Sequence, residues 1–533
     1  MNRIAQFYKN SRKELGFCMA AVFGWGMAAH GYMFLDNNVS HDSLNEFHAE
    51  ILGNSIKMGS GRIFTSIYRD LLGNDVTLPW LAGLMSLIWI GLAVFLVTRL
   101  FQVKSRTTIC LIAGIFATNI AVSATAATYI HDLDSYMFSM LCAVAAVYLW
   151  KCWKYGWLLG AGMLALSIGI YQAYLFVAIG LVMIDCIMRL LRDERFASVV
   201  GSGLKAIGMI LLGGGLYYAS MRGLLHAAGA TLVKGDYNSM DLILYQSPMN
   251  ILRLLGGAYA DWFKRLFYAG SAYPGVLVKG ITLLFFAVVS IGVGAGIARK
   301  EMGLWERLLL LALLGLLPLG TNLICAMMIR RNHDLMSFSV FLFYLLALLI
   351  GDWLKENGKF RTIGCVTRNL CALLMAVLLF GNVRFSNGLY LKKDLEYDAY
   401  LSLMTRVVGR LEAEEGYIPG ETPVIFVGTP DNRIDIMPGF KDYWDVIGMI
   451  STDVIYTPEV SRYRAYFDYV MGLPICLADQ ELWNTVSKST MAQQMPCYPA
   501  EGCLQFQDGV LVMKLGQIVE HEAISYYDLP DAQ

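Results

Sequence analysis

Long apolar stretches recur along this chain, and each is close to the length that a helix needs to cross a membrane. The hydrocarbon core of a bilayer requires about 20 residues of α-helix. Hydrophobic residues make up 56% of the 533 residues and charged residues 16%, whereas about 25% charged residues is usual in soluble proteins. The sequence therefore predicts a polytopic α-helical membrane protein.

We predict about eleven transmembrane helices. The stretch from 157 to 191 is too long for one helix, so we divide it at Tyr171 and Gln172 into two spans, with a re-entrant pair as the alternative. Lysine and arginine collect in alternate turns, which predicts a cytoplasmic N-terminus and an outer C-terminal segment. The predicted spans cover about residues 17–35, 78–100, 108–128, 136–150, two spans within 157–191, 206–223, 276–297, 305–325, 338–351 and 363–383.

Hydropathy falls after Arg384 and stays low to the end of the chain. We therefore divide the sequence into a transmembrane domain, 1–384, and an extracytoplasmic domain, 385–533. Residues 401–415 have a helical pattern, whereas 421–430 and 509–515 are short apolar runs typical of buried strands. This succession predicts a small α/β fold for the C-terminal domain.

Charged and polar residues concentrate in the turns that this orientation places on the outer side. The loop after the first span is the richest of them, and helix bundling can bring such turns together at one membrane face. The candidate site residues are Asp36, Asp42, Arg62 and Arg69 in the first loop, His131, Asp132 and Asp134 in the second outer turn, Tyr171 and Gln172 in the third, and Arg330 and Arg331 before the tenth span.

Carboxylates beside arginines at the level of lipid headgroups suit the chemistry of a lipid-linked phosphate. Cations hold such a phosphate and stabilise it as it leaves, and a hydroxyl acceptor needs a carboxylate base. Adjacent arginines on the outer side run against the usual cytoplasmic bias. Arg330 and Arg331 are therefore candidates to hold phosphate, with contact to anionic lipid headgroups as the alternative.

The sequence predicts no nucleotide and no metal cofactor. It contains no phosphate-binding glycine loop, and the DLD at 132–134 lies in an outer turn rather than in a cytoplasmic nucleotide-sugar domain. His41 and His131 each precede an aspartate, so a divalent-metal site is the alternative, although these residues lack a clear metal-ligand spacing. The net charge is zero, which gives no overall attraction to nucleic acid.

Three motifs together resemble the GtrII-like serotype-converting glucosyltransferases, which belong to the GT-C class of membrane glycosyltransferases. They are NNVSHDSL at 37–44, GRIFTSIYRDLLG at 61–73 and IYQAYL at 170–175. The resemblance covers about residues 15–350.

The resemblance implies an enzyme of a bacterial inner membrane that uses a polyprenyl-phosphate sugar on the outer face. Its expected partners are that donor, a cell-surface polysaccharide acceptor and the surrounding lipid, and glucose is the expected sugar. A carboxylate in the first outer loop is the usual candidate for the base, which corresponds here to Asp42 or Asp36. We prefer Asp42 because it lies further into the loop, whereas Asp36 is placed to cap the first helix or orient a partner.

The expected mechanism is a single displacement with inversion. Asp42 removes the proton from an acceptor hydroxyl, and Arg62 with Arg330 or Arg331 holds the leaving phosphate. Asp132 and Asp134 bind sugar hydroxyls or support the base. The alternatives are a Wzy-like polysaccharide polymerase and a non-enzymatic transporter or flippase for a lipid-linked glycan. A transporter typically carries charge near the membrane centre and internal repeats, which this sequence lacks.

Overall fold

The computed structural model describes residues 2–38, 40, 44, 57–72, 77–232, 243, 245–268, 275–299, 302–329, 333–356, 361–429 and 460–516. Most of this part of the chain is α-helical. Its longer helices are Asn2–Leu35, Ile63–Leu72, Pro79–Phe101, Arg106–Ala117, Ile120–Thr128, Leu133–Cys152, Gly156–Ile170, Leu175–Leu191, Phe196–Ala227, Pro248–Tyr268, Gly275–Ile297, Leu304–Met327, Leu342–Glu356 and Arg361–Glu412.

Within the described residues, ten helical segments are long and apolar enough to cross a membrane. They include each predicted span except the one from 157 to 170, where the helix Gly156–Ile170 is apolar but has only 15 residues. The polytopic helical class is therefore confirmed. The count of eleven spans and their orientation stay predictions.

The long apolar stretch from 157 to 191 is interrupted where the sequence predicted. The helix Gly156–Ile170 ends at Tyr171, whose backbone is extended, and a short 3₁₀ turn over Gln172–Tyr174 precedes the helix Leu175–Leu191. The break places Tyr171 and Gln172 at one end of the bundle.

The first half of the bundle is organised around the helix Leu133–Cys152, which packs against Pro79–Phe101 and Gly156–Ile170. Small residues and interhelical hydrogen bonds favour helix contacts in lipid, where hydrophobic burial offers little gain. A Cβ atom added at Gly160 would lie 2.8 Å from the carbonyl oxygen of Ala146. Glycine at this position therefore allows the two backbones to approach closely.

The helix Arg361–Glu412, called the long helix below, has 52 residues and continues from the bundle into the C-terminal part of the chain. The predicted domain boundary at 384 therefore falls inside a continuous helix. Beyond it, three strands among the described residues form one sheet in the order β1-β3-β2, with β1 (Val424–Val427) parallel to β3 (Val510–Lys514) and β2 (Leu504–Gln507) antiparallel to β3.

The two strands predicted in the C-terminal part are both present, and each is buried along its whole length. The predicted helix at 401–415 is the last section of the long helix. Trp483 and Tyr463 pack against Phe426 of β1 in a separate apolar core. The described C-terminal residues therefore form a small α/β unit with a core of their own.

Candidate functional site

Asp36 is the first residue after the helix Asn2–Leu35, and its carboxylate is held by Asn38. Oδ1 accepts a hydrogen bond from the backbone N–H of Asn38 at 3.0 Å, and Oδ2 accepts one from its side-chain amide at 2.8 Å. Burial raises the pKa of Asp36, with help from the negative charge of Asp394, while Lys393 and the Asn38 donors oppose the rise. A half-buried carboxylate with a raised pKa is suited to accept a proton.

Two residues of the long helix fasten this segment to the bundle. Lys393 is buried and donates to the carbonyl oxygens of Asn38 at 2.8 Å and Ala127 at 2.9 Å. Asp394 accepts hydrogen bonds from the Asn38 amide at 2.8 Å and from the Tyr32 hydroxyl at 2.5 Å. The end of the first helix, the long helix and the end of the third predicted span therefore meet at one point.

The first loop has two further anchors. The Ser40 hydroxyl donates to the carbonyl oxygen of Thr128, and Leu44 is fully buried in the apolar core of the C-terminal part. Asp42, the preferred candidate for the base, falls between these anchors in the sequence and lies outside the described residues, as does His41.

A buried ion pair joins the end of the first loop to the second predicted outer turn. Nζ of Lys57 lies 2.8 Å from Oδ1 of Asp132, and Nε2 of His131 lies 3.6 Å from Oδ2 of the same carboxylate. Arg69, also buried, is close enough to add its positive charge to the environment of Asp132. Asp132 is therefore compensated by surrounding cations, which favours its charged form.

Arg62 occupies an aromatic setting in the same region. Its guanidinium donates to the Tyr136 hydroxyl at 2.7 Å and lies over the Tyr171 ring, 5.0 Å from the ring centre. The Tyr136 and Tyr171 rings are stacked 4.1 Å apart. Among the described residues Arg62 forms no ion pair with a carboxylate, so its charge is available to an anion.

Asp134 accepts a hydrogen bond from the Tyr68 hydroxyl at 3.2 Å. Trp89 donates from its indole nitrogen to the same hydroxyl oxygen at 2.9 Å. Burial and the neighbouring Asp134 raise the pKa of Tyr68, so this phenol remains protonated at neutral pH and donates to the carboxylate. The arrangement fixes the position of Asp134 through two aromatic side chains.

The third predicted turn touches the first loop through Gln172. Its side-chain amide donates to the carbonyl oxygen of Ser60 at 3.0 Å, and the Tyr217 hydroxyl donates to the Gly61 carbonyl at 3.0 Å. Gly61 has a φ of +76°, and a Cβ there would lie 2.6 Å from the Tyr217 oxygen. This turn therefore requires glycine and delivers the next residue, Arg62, to its aromatic setting.

The turn before the helix Leu342–Glu356 lies at the same end of the bundle, because its 3₁₀ segment Asp334–Met336 packs against Ile120–Thr128. Arg265 donates to Asp334 and to Asp261, each at 2.8 Å. Arg330 and Arg331, the predicted phosphate-binding pair, lie outside the described residues.

The structure thus brings all eight of the described candidates into one region, which we call the polar cluster. Sequence reasoning missed several of its members. For Lys393 and Asp394, the only local signal in the sequence was the charged run KKD at 392–394, which follows the last predicted span, 363–383. The polar cluster comprises the predicted Asp36, Arg62, Arg69, His131, Asp132, Asp134, Tyr171 and Gln172 together with the unpredicted Lys57, Tyr68, Tyr136, Lys393 and Asp394.

The polar cluster holds fixed cations and carboxylates within a largely apolar bundle. A cation in such a setting interacts more strongly with an anion than it does in water. Across the described part of the chain, no three His, Cys, Asp or Glu residues are grouped as metal ligands. What the cluster offers chemically is charge stabilisation by Arg62, a proton acceptor at Asp36 and hydrogen bonds to polar substrate groups.

The family model described as "Glucosyl transferase GtrII" matches residues 31–350, which include every described member of the polar cluster except Lys393 and Asp394. No curated protein and no solved structure matches the chain.

Proposed function

This chain belongs to the glucosyl transferase GtrII family and is a membrane glucosyltransferase, and we propose that it uses a polyprenyl-phosphate sugar as donor. The family resemblance drawn from the three sequence motifs is confirmed by this match. In our proposal the enzyme transfers a hexose to a cell-surface polysaccharide, and glucose is the preferred candidate for that hexose. It acts on the outer face of a bacterial inner membrane.

The observation that carries the proposal is the setting of Arg62. Its guanidinium is fixed by the Tyr136 hydroxyl and the Tyr171 ring, and no described carboxylate neutralises it through an ion pair. Guanidinium groups bind phosphate through geometrically matched hydrogen bonds. We therefore assign Arg62 to the phosphate of the donor, where it stabilises negative charge as the sugar leaves.

The base is assigned to the first loop. Asp42 remains our first choice, and Asp36 is the second. Two features support Asp36: its carboxylate is half-buried and is held by two hydrogen bonds from Asn38, and its pKa is raised by burial. The base removes the acceptor proton as the oxygen attacks the anomeric carbon from the face opposite the phosphate, which inverts that centre.

The remaining polar residues have supporting roles in this proposal. Asp134 is held by Tyr68, and Asp132 by Lys57, so both carboxylates are positioned to accept hydrogen bonds from sugar hydroxyls. Arg330 and Arg331 add positive charge for the phosphate. No nucleotide or metal takes part in the proposed displacement.

We also propose the orientation that the lysine and arginine pattern predicts. The N-terminus is cytoplasmic, and the polar cluster and the C-terminal domain, 385–533, are extracytoplasmic. In the proposed reaction the polyprenyl-phosphate sugar and the surface polysaccharide meet on that side, so the orientation and the proposed substrates are consistent with each other.

Transfer by the purified full-length protein in lipid nanodiscs tests the proposal. Radiolabelled polyprenyl-phosphate glucose is supplied with isolated surface polysaccharide, and label in the polysaccharide is measured. We expect transfer without added metal and none from a nucleotide-linked glucose. Incorporation from the nucleotide sugar alone would refute the donor assignment, whereas transfer only of an intact lipid-linked oligosaccharide would indicate the polymerase.

Matched variants assign the roles. We expect Asp42→Asn to abolish transfer and Arg62→Met to reduce it about 100-fold. Asp70→Asn and Arg222→Met, which alter exposed side chains at neighbouring positions, should retain the wild-type rate. If Asp42→Asn transfers normally and Asp36→Asn does not, the base is Asp36. Normal transfer by both variants would exclude a first-loop base.

A further inference from the structure

Lys393 connects two segments that are far apart in the sequence. Its ammonium group donates to the Asn38 carbonyl at 2.8 Å and to the Ala127 carbonyl at 2.9 Å, and its side chain is 3% exposed. A buried ammonium group is unfavourable unless hydrogen bonds replace its water. These two bonds therefore hold the first loop against the end of the helix Ile120–Thr128.

Asp394 acts on the same loop by a second route. The side-chain amide of Asn38 donates to Oδ1 of Asp394 at 2.8 Å and to Oδ2 of Asp36 at 2.8 Å. One amide group thus uses its two hydrogens to link the two carboxylates. Because the Asn38 carbonyl is held by Lys393, both polar ends of this residue are fixed by the long helix, and Asn38 in turn fixes Asp36.

The long helix is also the only described connection of the bundle to the C-terminal sheet along the chain. The first loop reaches that same unit, since Leu44 lies in its apolar core with Tyr400 and Met404 of the long helix. The loop that carries both candidate bases is thus anchored at two points to a part of the chain beyond residues 31–350, where the family match ends.

We infer that Lys393 and Asp394 are positioning residues for sugar transfer, which hold the first loop and its carboxylate base in the geometry that transfer requires. The inference rests on the proposed function for its catalytic consequence. It makes the C-terminal part of the chain a structural component of the active site. A misplacement of a catalytic group by about 1 Å can reduce a rate about 100-fold, so such positioning has a measurable effect.

The test compares Lys393→Met and Asp394→Asn in the full-length protein in nanodiscs. With polyprenyl-phosphate glucose as donor, we expect kcat to fall about 10- to 100-fold while the donor KM changes less than about threefold, because the phosphate contacts are retained. Asp394→Asn keeps the shape of the side chain, so it decides the question if Lys393→Met does not fold.

The control variants lie on the same helix. Arg406→Met removes an exposed guanidinium group that donates to the Ser402 carbonyl, and Asp398→Asn removes an exposed carboxylate one turn after Asp394. Both should retain kcat within about twofold. The inference would be overturned if kcat fell equally in the test and control variants, or if the test variants raised the donor KM and left kcat unchanged.

Hydrogen exchange supplies a readout that does not depend on transfer. In peptides covering residues 36–40, we expect faster amide exchange in Lys393→Met and Asp394→Asn than in the wild type or the controls. If the wild type transfers no sugar, the proposed function fails and the exchange result still decides whether the helix holds the loop. Unchanged exchange in both test variants would overturn the inference.

Discussion

Nζ of Lys57 lies 2.8 Å from Oδ1 of Asp132, and both side chains are almost completely removed from solvent. The pair joins the segment before the helix Ile63–Leu72 to the turn before Leu133–Cys152. A buried charge whose partner is removed destabilises a protein by about 3–5 kcal/mol. The ion pair therefore fixes the position of Arg62 relative to the turn that contains Asp132.

We expect Lys57→Met to lower the free energy of unfolding by about 3–5 kcal/mol, since it leaves the Asp132 charge buried. The double variant Lys57→Met/Asp132→Leu should have a free energy of unfolding closer to that of the wild type, because neither charge of the pair remains. Denaturant unfolding in detergent, followed by circular dichroism, measures both. Arg410→Met is the control, because its ion pair with Glu414 is partly exposed, with the two side chains 46% and 27% exposed, and should contribute less than about 1 kcal/mol. An equal decrease in the free energy of unfolding for Lys57→Met and Arg410→Met would contradict the stabilising role of the Lys57–Asp132 ion pair.

Tyr136→Phe should reduce transfer about 10-fold or more, because it removes the hydroxyl that accepts the Arg62 hydrogen bond while keeping the stacked ring. Hydrogen bonds to charged groups contribute about 1.5–3 kcal/mol. The matched control is Tyr174→Phe, since the Tyr174 hydroxyl is buried without a hydrogen-bond partner in the described part of the chain. Steady-state kinetics measure the transfer rate of both variants. Equal rates for Tyr136→Phe and Tyr174→Phe would show that the Tyr136 hydroxyl has no role in transfer.

The pH dependence of transfer distinguishes the two candidate bases. Burial raises the pKa of Asp36 above its usual 3.8, and a base acts only when it is deprotonated. If Asp36 is the base, the acid limb of kcat/KM therefore lies above pH 3.8. Among the described residues, the charged and titratable groups that face Asp36 are Lys393 and Asp394 together with the phenols of Tyr32 and Tyr397.

If Asp36 is the base, removal of the charge of Asp394 or of Lys393 shifts the acid limb of kcat/KM in a defined direction. Asp394→Asn removes a negative charge, which lowers the pKa of Asp36 and shifts the limb to lower pH. Lys393→Met removes a positive charge and shifts it to higher pH. Profiles of kcat/KM between about pH 3.5 and 8 measure both shifts. Displacement of the limb in the same direction by both variants would exclude Asp36 as the base.

Much of the bundle could be predicted because hydropathy is a local property. Each membrane-length helix produces its own apolar window, and the break at Tyr171 follows from the excess length of the stretch that contains it. The strands Val424–Val427 and Val510–Lys514 were likewise predicted from short apolar runs.

The site residues that were not predicted depend on contacts between distant parts of the chain, which local sequence patterns do not encode. Lys393 and Asn38 are 355 residues apart, and Lys57 and Asp132 are separated by 75. The domain boundary at 384 was drawn where hydropathy falls, but the backbone remains helical to Glu412. Polarity changes along a helix without ending it, so Lys393 and Asp394 were assigned to an outer domain although they contact the bundle.

Leu44 provides a test of the link between the first loop and the C-terminal core. Its side chain is fully buried among residues of that core, and Leu→Ala substitutions at such sites lower stability by about 2.7–5 kcal/mol. We expect Leu44→Ala both to increase protease cleavage in residues 413–516 and to lower transfer, because the loop loses its contact with that core. Leu35→Ala, at a position that is 73% exposed, is the control and should change neither. Wild-type protease resistance with lowered transfer would instead indicate that Leu44 acts within the loop alone, since a loosened core must expose cleavage sites.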